Sequence, residues 1–183
     1  MPLQIEVLID STLSASVDSD ALARAARLAA ASRHFDCGEI GIRVTDDPTI
    51  HEINRRHLDH DYPTDVISFA YLAESPRIEG ELIISLDTAR RRAAELGWEV
   101  SKELLLYAVH GVLHLTGMDD GQPAKRREMR RAEGVILTEL GVADAERYGA
   151  DVQRPVETLR AGARRNHESN NHESKNAVTE KQS

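Results

Sequence analysis

The chain has 183 residues, 40% hydrophobic and 30% charged, which suits one globular domain with a sizeable core. A net charge of −8 excludes nucleic-acid binding by bulk electrostatics, while leaving room for a local basic cleft. No apolar run is long enough to span a bilayer, the Met1 to Val7 segment lacks the features of a signal peptide, and the single Cys37 excludes an intrachain disulfide, so a cytoplasmic protein without membrane attachment is expected.

Residues 3–9 place Leu3, Ile5, Val7 and Ile9 on one side of a half-buried strand. Asp18 is a cap for an Ala- and Leu-rich helix ending near Ser32. Residues 39–45 repeat the strand alternation through Ile40, Ile42 and Val44. Asp46, Asp47 and Pro48 then open a helix containing Ile50, Ile53 and Asn54. Two further strands are expected at 65–72 and 81–86, joined by a loop containing Pro76 and Gly80. Asp87 begins a helix that ends near Gly97, and Ser101 opens the next. A last amphipathic helix, from Gln122-Pro123 to Leu140, turns Met129, Val135, Ile136 and Leu137 toward the core. The whole reads as α+β: a four-stranded sheet with about five helices, mainly over one face.

This domain is expected to occupy residues 1–150. Residues 151–183 carry few apolar side chains, and the near-repeat around His167 and His172 is polar throughout, so a disordered tail is expected there. The arginine clusters (Arg55 and Arg56, Arg90 to Arg92, Lys125 to Arg131) fall in helical stretches and read, from charge alone, as solvated faces.

One segment carries chemistry: His110-Gly-Val-Leu-His114-Leu-Thr-Gly117-Met-Asp119-Asp120. Histidines four apart project from one helix face within reach of a shared ion. Gly117 permits a sharp return that brings Asp119 or Asp120 under them as a third ligand. Three protein ligands with an open fourth position describe a catalytic zinc site. A lone histidine on so apolar a helix is ordinarily a hydrogen-bonded core residue, but the pair, the glycine and the aspartates together favour metal. In the zinc-protease signature a glutamate base follows the first histidine, and here that position is Gly111.

Asn54, then Pro63-Thr64-Asp65-Val-Ile-Ser-Phe69, then Gly80-Glu-Leu-Ile-Ile-Ser85, then the histidine motif resemble, in order, the YbeY family of bacterial endoribonucleases and rRNA maturation factors. Met129 and Glu133 fit the family's last helix. The resemblance covers roughly residues 3–140. It implies a small mixed sheet with the metal site on a central helix, and one divalent metal, usually zinc, held by three histidines. It also implies single-strand-specific, metal-dependent cleavage in rRNA processing, with maturation of small-subunit rRNA and ribosome quality control as the setting. By position His110 and His114 match two of the histidines, and the third falls on Asp120. A carboxylate is a normal zinc ligand, yet it is harder and shifts preference toward oxygen-seeking ions such as manganese.

A second departure is Leu58, where many family members carry an arginine implicated in RNA cleavage. Arg55 and Arg56 lie a helical turn back and are candidates to replace it; Asp119 is the other catalytic candidate, as ligand or as orienter of a histidine ring. Asn54, Thr64 and Asp65 are expected to shape the RNA cleft. Expected partners are ribosomal RNA and the small ribosomal subunit. The competing reading is a non-catalytic assembly factor that binds rRNA or, through its acidic surface, a basic ribosomal protein.

Overall fold

The computed structural model describes residues 1–13, 17–58, 64–143 and 145; the Leu58 side chain, residues 59–63, and the tail expected from residue 151 lie outside that set. The elements run β1 (Gln4–Ile9), α1 (Ser19–Ser32), β2 (Cys37–Thr45), α2 (Asp47–Leu58), β3 (Val66–Glu74), β4 (Arg77–Ser85), α3 (Leu86–Leu96), α4 (Val100–Leu115) and α5 (Pro123–Glu139). The strands order as β1-β2-β4-β3. β1, β2 and β4 are parallel, and β3 is antiparallel to β4, so the sheet is mixed. This is the α+β architecture expected from the sequence.

Local chemistry sets the ends of the helices. Asp18 caps α1 by accepting from the Ala21 amide at 2.9 Å, and Asp46 accepts from Thr49 at the start of α2. Ser85, the last residue of β4, caps α3 by accepting from Thr88, so the helix starts at Leu86 rather than at Asp87. Gly97, with φ of 70°, ends α3 in the left-handed region where glycine carries no Cβ penalty.

α4 runs through the centre of the domain. Ten of its 16 residues are buried, and it packs against α1, α3, α5, β3 and β4. The alanines of α1 (Ala25, Ala26, Ala29, Ala30) are fully buried, and their small size lets α1 approach α4 closely. Gly111 faces the sheet: a Cβ there would lie 2.8 Å from a Leu82 methyl and 3.1 Å from Val66. The opposite sheet face is covered by α2, whose Ile50 packs on Ile67 and Ile83 with Ile53 and Phe69 alongside.

Ser101 does not open α4, which starts at Val100 after Glu99 with no side-chain cap, and two further expectations fail. Gly80 lies inside β4, paired with Ala70, and the β3–β4 connection is only Ser75-Pro76. Glycine is needed there because a Cβ would meet the Phe69 carbonyl at 2.8 Å and Leu115 at 2.9 Å, beside a register shift between Ala70 and Leu72. Val135 is 68% exposed: Met129, Ile136 and Leu137 take the buried stripe of α5, and position 135 falls outside it. Among the described residues no helix is long and apolar enough to cross a membrane.

Candidate metal centre

The end of α4 builds the site. Thr116 terminates the helix, Gly117 takes φ of 90°, its amide donates to the His114 carbonyl at 2.9 Å, and the Met118 amide donates to the Leu113 carbonyl at 3.1 Å. This pair of bonds is the Schellman closure, and it folds the chain back over the last turn. The Met118 carbonyl thereby comes within 3.0 Å of His114 Nδ1, and Asp120 reaches the two imidazoles.

Hydrogen-bonding partners define the tautomers. A carbonyl oxygen only accepts, so His114 donates its Nδ1–H to Met118, and its neutral ring carries the lone pair at Nε2. His110 Nδ1 lies 2.6 Å from Glu133 Oε1, and the same argument puts a lone pair on its Nε2. These two Nε2 atoms are 3.0 Å apart, with the rings edge to face at 84°. Asp120 oxygens lie 3.9 Å from His110 Nε2 and 3.7 Å from His114 Nε2. With both rings neutral, two lone pairs and a carboxylate converge with no donor among them, and a metal ion or a proton between the Nε2 atoms relieves that repulsion.

The size fits as well. Ligand atoms around a tetrahedral ion with bonds of roughly 2.0–2.1 Å are about 3.3–3.4 Å apart. The Nε2 atoms are 3.0 Å apart, the two Asp120 oxygens lie 3.9 Å (Oδ2 to His110) and 3.7 Å (Oδ1 to His114) away, and one atom from each of the three residues lies within 4.8 Å of the others, near that spacing.

Burial and charge act in opposite directions on His110. Desolvation disfavours its charged form, but the Glu133 hydrogen bond and charge, with Asp65 and Asp120 adding to them, hold its pKa above the ordinary histidine value. Glu133 is fully buried, and its second oxygen accepts from Arg130 at 2.9 Å. It falls at position i+4 from Met129 in the buried stripe of α5; a carboxylate on an apolar face, in need of a partner, is the signal by which sequence alone could have found its role.

Asp119 orients no histidine. Its carboxylate takes the Gly121 amide and Lys125 Nζ, both at 2.9 Å, and this holds its pKa below the ordinary range. The carboxylate that lies against a histidine Nδ1 is that of Glu133. Arg55 and Arg56 are exposed on α2 and both pair with Glu52, at 2.7 and 2.5 Å. Of the three residues expected at the cleft, Asn54 is buried at 1% exposure on α2, and Thr64 donates to Asp65 at 3.0 Å. Asp65 also accepts from the Val66 amide and is close enough for its charge to act on His110. Gly111 explains the missing protease base: that position faces Leu82 and Val66, not the imidazoles, and has no room for a side chain.

Residues 7–141 match the profile of the family described as Endoribonuclease YbeY. A Rhodopirellula baltica protein named endoribonuclease YbeY is 52% identical over 123 residues, which are 66% of this chain and 63% of that protein. One of the same name from Chloroflexus aurantiacus is 40% identical over 149 residues, 75% of this chain and 96% of that protein. The solution structure of a Thermotoga maritima protein shares the fold with a TM-score of 0.52 at 20% identity, covering 78% of this chain and 95% of that one.

Proposed function

From the premise that this chain belongs to the YbeY family, we propose that it is a metal-dependent endoribonuclease acting on single-stranded segments of ribosomal RNA. Maturation of small-subunit rRNA and ribosome quality control are its proposed setting. The observation that carries the reading is the convergence of two Nε2 lone pairs and the Asp120 carboxylate on one point.

His110, His114 and Asp120 are the proposed ligands, and zinc is the proposed ion. When bound, the ion supplies Lewis acidity, polarising a phosphoryl oxygen and easing loss of a proton from water. The chain's own residues prepare the site. Glu133 and the Met118 carbonyl hold the histidine protons at Nδ1, so that Nε2 is free to bind. The apolar body of α4 keeps water from the back of the site. Asp120 in place of a third histidine makes the centre one unit more negative, which weakens its pull on phosphate and moves preference toward oxygen-seeking ions. Single strands are favoured because in-line attack needs backbone freedom that an A-form duplex restricts. Residues 1–150 are proposed to carry this activity in the cytoplasm, with the small subunit as partner and residues 151–183 contributing to neither fold nor site.

A second reading has one observation in its favour. Arg55 and Arg56 already share Glu52, so less free positive charge stands ready for phosphate, as suits an assembly factor that binds without cutting. Incubating a structured RNA with the purified protein, with and without chelator, separates the two. Chelator-sensitive cleavage supports the nuclease; binding with no cleavage under any divalent ion supports the assembly factor.

A further inference from the structure

Glu133 and Arg130 stand on α5, while the histidines stand on α4; Glu133 is the α5 side chain that faces an imidazole, and Arg126, one turn into the same helix, donates to the Asp120 carbonyl at 3.1 Å. Its carboxylate is fully buried and is divided between two partners: Oε1 faces His110 Nδ1 at 2.6 Å, and Oε2 accepts from Arg130 at 2.9 Å. Arg130 is itself only 22% exposed, so its guanidinium depends on that oxygen. A carboxylate suits this position for a geometric reason. It offers an acceptor on both sides, and both neighbours need one. An amide offers an acceptor on one side only.

We propose that Glu133 is the positioning residue of the metal centre, holding the His110 proton at Nδ1 so that Nε2 faces the ion, and that Arg130 makes a carboxylate, rather than an amide, necessary there. The inference rests on the metal reading above. It has a consequence that simple packing does not. In Glu133→Gln the guanidinium of Arg130 draws the amide oxygen to itself and leaves the NH2 facing His110. The ring then accepts at Nδ1 and carries its proton at Nε2, the atom the ion needs. Replacing Arg130 by Met in the same chain removes the competing donor. The amide then turns its oxygen to His110, and the original tautomer returns.

Two measurements test this on the full-length protein. Zinc affinity is read by competition with a chromophoric chelator, and the His110 tautomer by the 15N shifts of its ring nitrogens in metal-free protein at a pH where the ring is neutral. Glu133→Gln is expected to weaken zinc binding roughly 10- to 100-fold and to move the His110 proton from Nδ1 to Nε2. Glu133→Gln with Arg130→Met is expected to recover most of the affinity and the Nδ1–H signature. A Glu133→Gln chain that binds zinc as tightly as wild type overturns the inference alone, as does a double variant no better than the single one. Wild-type protein that binds no zinc overturns the metal reading beneath it. Should Glu133→Gln fail to fold by circular dichroism, the wild-type spectrum decides: an Nε2–H tautomer for His110 refutes the proposal, and an Nδ1–H tautomer supports it.

Discussion

The two halves of α4 treat the same problem in opposite ways. Glu103, Tyr107, His110 and His114 follow one another at helical spacing and share one face. At the first half the buried Glu103 carboxylate accepts from Trp98 Nε1 at 2.9 Å and from Tyr107, so that polar group is satisfied from within the protein. At the second half the Nδ1 atoms are satisfied and the Nε2 atoms face each other. One cluster is closed; the other, with both rings neutral, leaves its acceptors facing one another. Burial of polar side chains on a central helix is therefore not itself a mark of function; what marks function is a set of acceptors with no donor left to meet them.

Removing a ligand attacks the open cluster directly. His110→Ala or His114→Ala is expected to strip nearly all bound metal, measured by elemental mass spectrometry, and RNA cleavage is expected to disappear with it. Full metal retention in either variant would break the comparison at its root. Next in size is Gly111→Glu, which restores the protease order. The new side chain enters the space of Leu82 and Val66. Overpacking with an unpaired carboxylate is expected to cost at least about 3 kcal/mol in urea unfolding, with no peptidase activity on casein. A variant of wild-type stability would show that α4 can rotate its histidine face.

Glu103→Gln probes the closed cluster. Burial raises the Glu103 pKa above its ordinary value of 4.5, against the hydrogen bonds from Tyr107 and Trp98. A carboxyl group whose folded pKa is raised binds its proton more tightly in the folded state. Its contribution to stability is present below the unfolded pKa and is lost as pH rises through the folded one. In chelated protein, wild type is therefore expected to lose stability relative to Glu103→Gln as pH rises from about 4.5, and without chelator the metal content of the two is expected to be the same. A loss of metal in Glu103→Gln would join the two clusters into one. The smallest effects belong to the aspartates. Asp119→Ala is expected to keep its metal, while Asp120→His is expected to keep it and to raise the zinc-to-manganese preference. If Asp119→Ala empties the site and Asp120→Ala does not, the third ligand has been misassigned.

Much of this was legible in the chain because it is local. The spacing of His110 and His114, the turn at Gly117 and the caps at Asp18 and Asp46 each act within a few residues. What escaped depends on contacts across the fold. Gly80 reads as a loop residue until Leu115 and Phe69 come together over it, and Val135 reads as core until the register of α5 is known. Asp119 and Asp120 are neighbours in sequence, and in the fold Lys125 and the Gly121 amide hold Asp119 while Asp120 turns to the imidazoles. Glu133 is 23 residues from His110, so periodicity can mark it as buried without naming its partner.

The two imidazoles owe their orientation to different parts of the chain. His114 is set by the turn that ends its own helix, so its half of the site is complete once α4 and its cap have formed. His110 waits for a neighbouring helix to dock. One half of the site thus rests on local contacts and the other on a tertiary one. Release of a metal ion held here is expected to follow the opening of α5, so that metal release and amide exchange in α5 respond together to any change that loosens Met129, Ile136 or Leu137.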